Sequence, residues 1–74
     1  MITKIGLISG SIWEYLDKNG PTELQSLLSN IQEPHELTLM SVGWLTREGH
    51  VVLEQNQQNY ILSLRDLEYS DTQQ

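Results

Sequence analysis

The segment that most constrains this chain runs from Leu37 to Val52. It opens with an apolar run at helical spacing, passes through the charged turn Arg47-Glu48 and Gly49, and ends in the β-branched pair Val51-Val52. Leu37, Met40, Ser41, Val42, Trp44 and Leu45 give the helix an unusually wide apolar surface. Gly49 is the expected C-terminal glycine, since a helix ends cheaply on a residue that accepts the left-handed conformation.

Length permits little else. A chain of 74 residues buries only about 60 % of its unfolded surface, enough for one modest core. Residues 1–66 are read as one domain and residues 67–74 as a polar, acidic tail expected to be disordered. Hydrophobic residues make up 38 % of the chain and the mean hydropathy is −0.37, as in a soluble domain. With no cysteine, disulfides, thiolate metal sites and cysteine nucleophiles are all excluded. No secretory leader is visible, and no stretch approaches the ~20 apolar residues of a membrane span. The expected location is the cytoplasm, with no membrane partner.

Charge narrows the partners. Ten acids face four bases, for a net charge of −6. Nucleic-acid binding draws most of its affinity from Lys and Arg neutralising phosphates, and here Lys4, Lys18, Arg47 and Arg65 are scattered along the chain.

A first helix is expected from about Lys4 to Lys18, where Ile5, Ile8, Ile12, Tyr15 and Leu16 recur at helical spacing and Trp13 widens the face. Gly6 and Gly10 lie one turn apart and imply close approach of another element, because each costs roughly 1 kcal/mol against alanine in a helix. Asn19-Gly20-Pro21 is a stop signal. Thr22-Glu23-Leu24-Gln25 reads as a capping box opening a short second helix, with Thr22 at the N-cap and Gln25 reaching back. That helix carries Leu24, Leu27, Leu28 and Ile31 and ends near Ser29 or Asn30. The third helix begins at about Pro34, which suits a first helical position. Two strands follow: His50 to Glu54, and a second marked by Tyr60, Leu62 and Leu64. The polar segment Gln55-Asn56-Gln57-Gln58-Asn59 joins them as a hairpin.

This order, helix–helix–helix–strand–strand, resembles a winged helix-turn-helix domain, in particular the small stand-alone domains of bacteria and archaea, mostly of unassigned function. The residues carrying the resemblance are Ile12-Trp13, Leu16 and Gly20, then Gly43-Trp44-Leu45 and Arg47-Glu48-Gly49. It covers residues 5 to 65. It implies an α+β fold, a three-helix bundle with a two-stranded antiparallel wing. In DNA-binding relatives the third helix enters the major groove and the wing flanks it. Fold alone does not carry function across.

The third helix departs from a DNA reader. Its first turns offer His35, Glu36, Thr38 and Leu39, with no Lys or Arg, whereas base readout leans on Arg or Lys to guanine and Asn or Gln to adenine. Glu36 repels phosphate, and the glutamines and asparagines of the wing neutralise nothing. Two function classes therefore compete. In the first, a regulatory module makes protein–protein contacts, by self-association or with a larger partner. Leu39, Met40 and Trp44 are then the interface candidates, although Trp44 is expected first of all to pack between the third helix and the first helix or the wing. In the second, a DNA-binding regulator uses His35, Thr38, Arg47 and Gln57.

Other residues are read structurally. Gly43 is expected to allow close helix packing or the approach of a partner. Arg47 and Arg65 serve equally as caps, ion-pair partners or phosphate contacts, and Tyr60 is expected at the edge of the core, at the base of the wing. His35-Glu36 lacks the second histidine of H-E-x-x-H, because position 39 is leucine. Two isolated histidines without cysteine predict no metal site. No phosphate loop, dinucleotide glycine run or serine elbow is present, so neither cofactor nor catalysis is expected.

Overall fold

The computed structural model describes residues 2–65. The order of elements is α1 (Ile2–Asn19), β1 (Thr22–Glu23), α2 (Leu24–Asn30), α3 (His35–Arg47), β2 (Val51–Asn56) and β3 (Asn59–Leu64). Three helices pack on a small antiparallel sheet of order β1-β3-β2. The expected tail, 67–74, lies outside the described residues.

The core forms where the apolar stripe of α1 meets α2, α3 and the root of the sheet. Ile8, Ile12 and Leu16 from α1 join Leu27, Ile31, Val42, Leu45, Val51 and Leu62 in one cluster. The face of α3 turned to this cluster repeats at i, i+3, i+4, i+7 through Thr38, Ser41, Val42 and Leu45, all buried. Two of the four are small hydroxyl residues that bond within their own helix: Thr38 Oγ1 donates to Pro34 O at 3.1 Å and Ser41 Oγ to Leu37 O at 2.8 Å. Small side chains here bring α3 close to α1.

The helix ends follow local rules. Gly20 takes φ +77 and donates its N–H to Leu16 O at 2.8 Å, closing α1. At the end of α3, Gly49 takes φ +84 and donates to Thr46 O, while His50 N–H donates to Leu45 O at 3.0 Å. These two bonds are the Schellman pair that left-handed glycine permits. Pro34 is the N-cap of α3 rather than its first helical residue, and its carbonyl receives both the N–H and the hydroxyl of Thr38.

The start of α2 differs from the capping box. Thr22 and Glu23 form strand β1, with Thr22 opposite Leu62 and Glu23 opposite Ile61 on β3. The N-cap is Glu23 and makes no side-chain capping bond. The Thr22 hydroxyl donates backward to Gly20 O at 2.8 Å. Strand pairing with a segment far along the chain thus displaces the local cap.

The hairpin of β2 and β3 pairs Asn56 with Asn59 across the two-residue connection Gln57-Gln58. Val51, Leu53 and Gln55 face the same side and lie opposite Leu64, Leu62 and Tyr60. Burial fades outward along it: Val51 and Leu62 are buried, whereas Leu53 and Tyr60 are exposed. Tyr60 therefore belongs to the outer end of the wing, beside the turn, and not to its base. The strands outrun the core, which makes the outer half of this hairpin a projecting wing.

Candidate functional surface

The outward face of α3 dominates the surface. Glu36, Leu39, Met40, Gly43, Trp44 and Arg47 are all exposed and recur at i, i+3, i+4, i+7, i+8 and i+11. At 100° per residue this spacing lays them along one stripe, opposite the buried Thr38, Ser41, Val42 and Leu45. Leu39 is 45 %, Met40 53 % and Trp44 46 % exposed.

The placement corrects the reading of Trp44 as a core residue. The buried positions of α3 are taken by smaller side chains, and Trp44 lies at the rim, its ring centroid 6.3 Å from that of His50 at a tilt of 39°. Gly43 is corrected likewise within the chain: apart from its chain neighbours and its own helical backbone, nothing stands within 4 Å of where its Cβ would be. Its Cβ position opens onto solvent on the outer surface of the helix. Gly6 and Gly10 also face open space, so neither marks a close approach inside the domain. Leu7 and Trp13 are exposed on the same helix.

The nucleic-acid candidates are not brought together. Thr38 is fully buried and its hydroxyl is engaged with Pro34, so it cannot reach a base edge. His35 is exposed at the start of α3, Arg47 at its far end, and Gln57 at the turn of the wing. Of the other bases, Lys4 pairs with Glu33 at 3.1 Å, the one ion pair among the described residues. Arg65 donates its N–H to His50 O at 3.0 Å, and its guanidinium lies 3.8 Å from the Cβ position of Gly49. Arg47 and Arg65 thus flank the junction of α3 and the wing, and the first two turns of α3 carry no base.

A small cleft of about 150 Å³ opens between the start of α2 and the turn of the wing, lined by Glu23, Leu24, Gln25, Gln58, Asn59 and Tyr60. Ligand pockets usually run to roughly 300–1,000 Å³, so this cleft is too small for a typical cofactor. Among the described residues, no three His, Asp or Glu side chains gather as a metal site would require, and no helix is long and apolar enough to cross a membrane.

Helix-turn-helix geometry followed by a β-hairpin wing is the arrangement that comparison with known families recovers. The sequence of residues 1–64 matches the family described as winged helix-turn-helix domain (DUF2582). The chain belongs to this family. Membership in DUF2582 covers all six elements, including the short β1 that completes the sheet. Among solved structures, this family member is similar to the crystal structure of AF1382 from Archaeoglobus fulgidus. The TM-score is 0.66 at 18 % identity, over 99 % of this chain and 80 % of that one. At that identity the likeness establishes the fold alone. No curated protein matches the sequence.

Sequence reasoning passed over two members of the outward stripe. Glu36 is read there only as a charge that repels phosphate, and Gly43 as a residue that allows close packing or a partner's approach, without being joined to the interface candidates. Their common spacing with Leu39, Met40, Trp44 and Arg47 is the signal that joins them.

Proposed function

We propose that this DUF2582 domain is a non-catalytic regulatory module that acts by protein–protein contact, using the outward face of α3 and the adjacent wing. One observation carries the reading: the helix that a DNA-binding relative would insert in the major groove presents Leu39, Met40 and Trp44 to solvent, and one base, Arg47. Exposed apolar side chains clustered on one face favour a protein partner. A major-groove reader needs donors and cations in the same place. The net charge of −6 acts in the same direction.

The test is a titration of isotopically labelled protein with random-sequence duplex DNA at low salt, followed through backbone amide shifts. The expected result is no shift on residues 35–47 or 55–60. Shifts confined to those two segments and fading as salt rises would overturn the reading in favour of DNA binding, because displaced counterions make that binding steeply salt dependent.

A further inference from the structure

We propose that the outward face of α3 pairs with the same face of a second copy, the two helices running antiparallel about a two-fold axis. This rests on the protein-contact reading above and names the partner.

The argument is in the order of residues along the stripe. Glu36, Leu39 and Met40 occupy its first half; Gly43, Trp44 and Arg47 occupy its second. An axis through the middle of the helix, between Ser41 and Val42, relates position 36 to 47, 39 to 44 and 40 to 43. Every pair so formed is complementary. Glu36 of one copy meets Arg47 of the other, a carboxylate against a guanidinium, twice over. Leu39 meets Trp44, an aliphatic side chain against an aromatic face. Met40 meets Gly43, where the position of the missing Cβ faces open space, so an unbranched and adaptable side chain can enter the gap that glycine leaves. Isologous dimers require this kind of self-complementarity, in which residue i meets j and j meets i.

Charge supports the same occupant. The chain carries −6 overall, but between His35 and Arg47 it holds one acid and one base, Glu36 and Arg47. The face is locally neutral with its charges at opposite ends, so two copies attract there despite their net repulsion. A parallel arrangement would set Glu36 against Glu36 and Arg47 against Arg47. The antiparallel pairing also places the positive N-terminal end of each helix dipole beside the negative C-terminal end of the other. One helix face per copy is a small interface, at or below the ~1,200 Å² total of standard complexes, so the expected dissociation constant is on the order of 10–100 µM.

The test exploits the two-fold symmetry. Sedimentation equilibrium of the wild-type chain, up to about 1 mM, is expected to show the mass rising from 8.5 kDa toward twice that value. Glu36→Arg alone sets guanidinium against guanidinium at both ends of the helix pair, and Arg47→Glu alone sets carboxylate against carboxylate there. Each variant, shown to be folded by circular dichroism, is expected to dimerise at least about 10-fold more weakly. In an equimolar mixture, a dimer of one Glu36→Arg chain and one Arg47→Glu chain sets a guanidinium against a carboxylate at both ends, so the mixture is expected to regain the association that each variant loses alone, and a mixture as weak as the single variants would overturn the pairing. The double variant Glu36→Arg/Arg47→Glu restores both ion pairs with their direction reversed, and is expected to return to the wild-type mass profile. A wild-type chain that stays at 8.5 kDa, single variants that dimerise as well as wild type, or a double variant that stays monomeric would each overturn the pairing. A monomeric wild type together with silent amides in the DNA titration removes only this pairing and leaves a different protein as the partner. Amide shifts with DNA remove the protein-contact reading itself.

Discussion

Ser41 Oγ donates to Leu37 O at 2.8 Å and lies 3.4 Å from Ile5 O on α1. A fully buried hydroxyl thus stands at the point where α3 crosses α1, with a second acceptor within reach. Ser9 on α1 is the opposite case: it is buried, and its Oγ finds no partner among the described residues. Ser41→Ala is therefore expected to cost about 0.5–1.5 kcal/mol. Ser41→Leu, which cannot fit without parting the helices, is expected to cost about 1–3 kcal/mol. Ser9→Ala removes an unsatisfied hydroxyl and improves helix propensity, so it is expected to gain about 1 kcal/mol. Thermal melts separate the three, since 1 kcal/mol moves the midpoint of a domain this size by about 4–8 °C. A Ser9→Ala midpoint below wild type would show that this hydroxyl has a partner.

Leu62 and Leu53 face each other across the hairpin, yet only Leu62 is buried in the core. Leu62 also lies opposite Thr22 on the short strand β1, so it anchors the sheet at its centre. Leu62→Ala is expected to cost about 2–5 kcal/mol, a large share of the stability of a small domain. Leu53→Ala, at the exposed outer half, is expected to cost under about 1 kcal/mol. Urea titrations check this through the midpoint at constant slope. Equal losses at the two positions would mean that the core reaches further along the wing.

Gln57 takes φ 60 at the first position of the two-residue turn. Such turns demand a positive φ there, a conformation glycine adopts freely and other L-residues adopt at a cost of roughly 1–2 kcal/mol. Gln57→Gly relieves that cost but gives part of it back through the greater freedom of glycine in the unfolded chain. The net expectation is a gain of about 0.5–1 kcal/mol, read as a rise in melting temperature of about 2–8 °C. A fall would mean that the glutamine side chain contributes more to the turn than its backbone costs.

Local signals in the sequence account well for the helices and less well for what lies between them. The ends of α1 and α3 are written at Gly20 and Gly49, and both close as glycine stop signals predict. The two strands of the wing show their alternation, with Val51 and Leu62 inward. Strand β1 is different, because Thr22-Glu23 carries a plausible cap and its true partners, Leu62 and Ile61, are distant in sequence. Trp44 misleads by size. A count of apolar residues assigns it to the core, while the buried face of α3 is built from Thr38, Ser41, Val42 and Leu45, half of them hydroxyl residues whose polarity is spent inside their own helix. The outward stripe was legible as spacing, but its exposure depends on which face α1 covers, and that is a tertiary fact.

The three helical glycines separate a structural role from a surface role. Gly6, Gly10 and Gly43 all lie within helices and have open space at the Cβ position, so nothing inside the domain requires glycine at any of them. Each Gly→Ala change is expected to raise stability by about 1 kcal/mol, from helix propensity alone. Their effects on self-association are expected to differ. Alanine at position 43 begins to fill the gap that receives Met40 of a second copy, and Gly43→Leu fills it completely while keeping a good helix former. Gly6→Ala and Gly10→Ala, on α1, are expected to leave the dissociation constant of the dimer unchanged. Gly43→Ala is expected to raise it about 3-fold, and Gly43→Leu more than about 10-fold, in a chain that melts at or above the wild-type temperature. Sedimentation of the four variants beside their melting curves checks this. If Gly43→Leu associates as well as wild type, Met40 does not enter the gap and the register of the two helices is wrong.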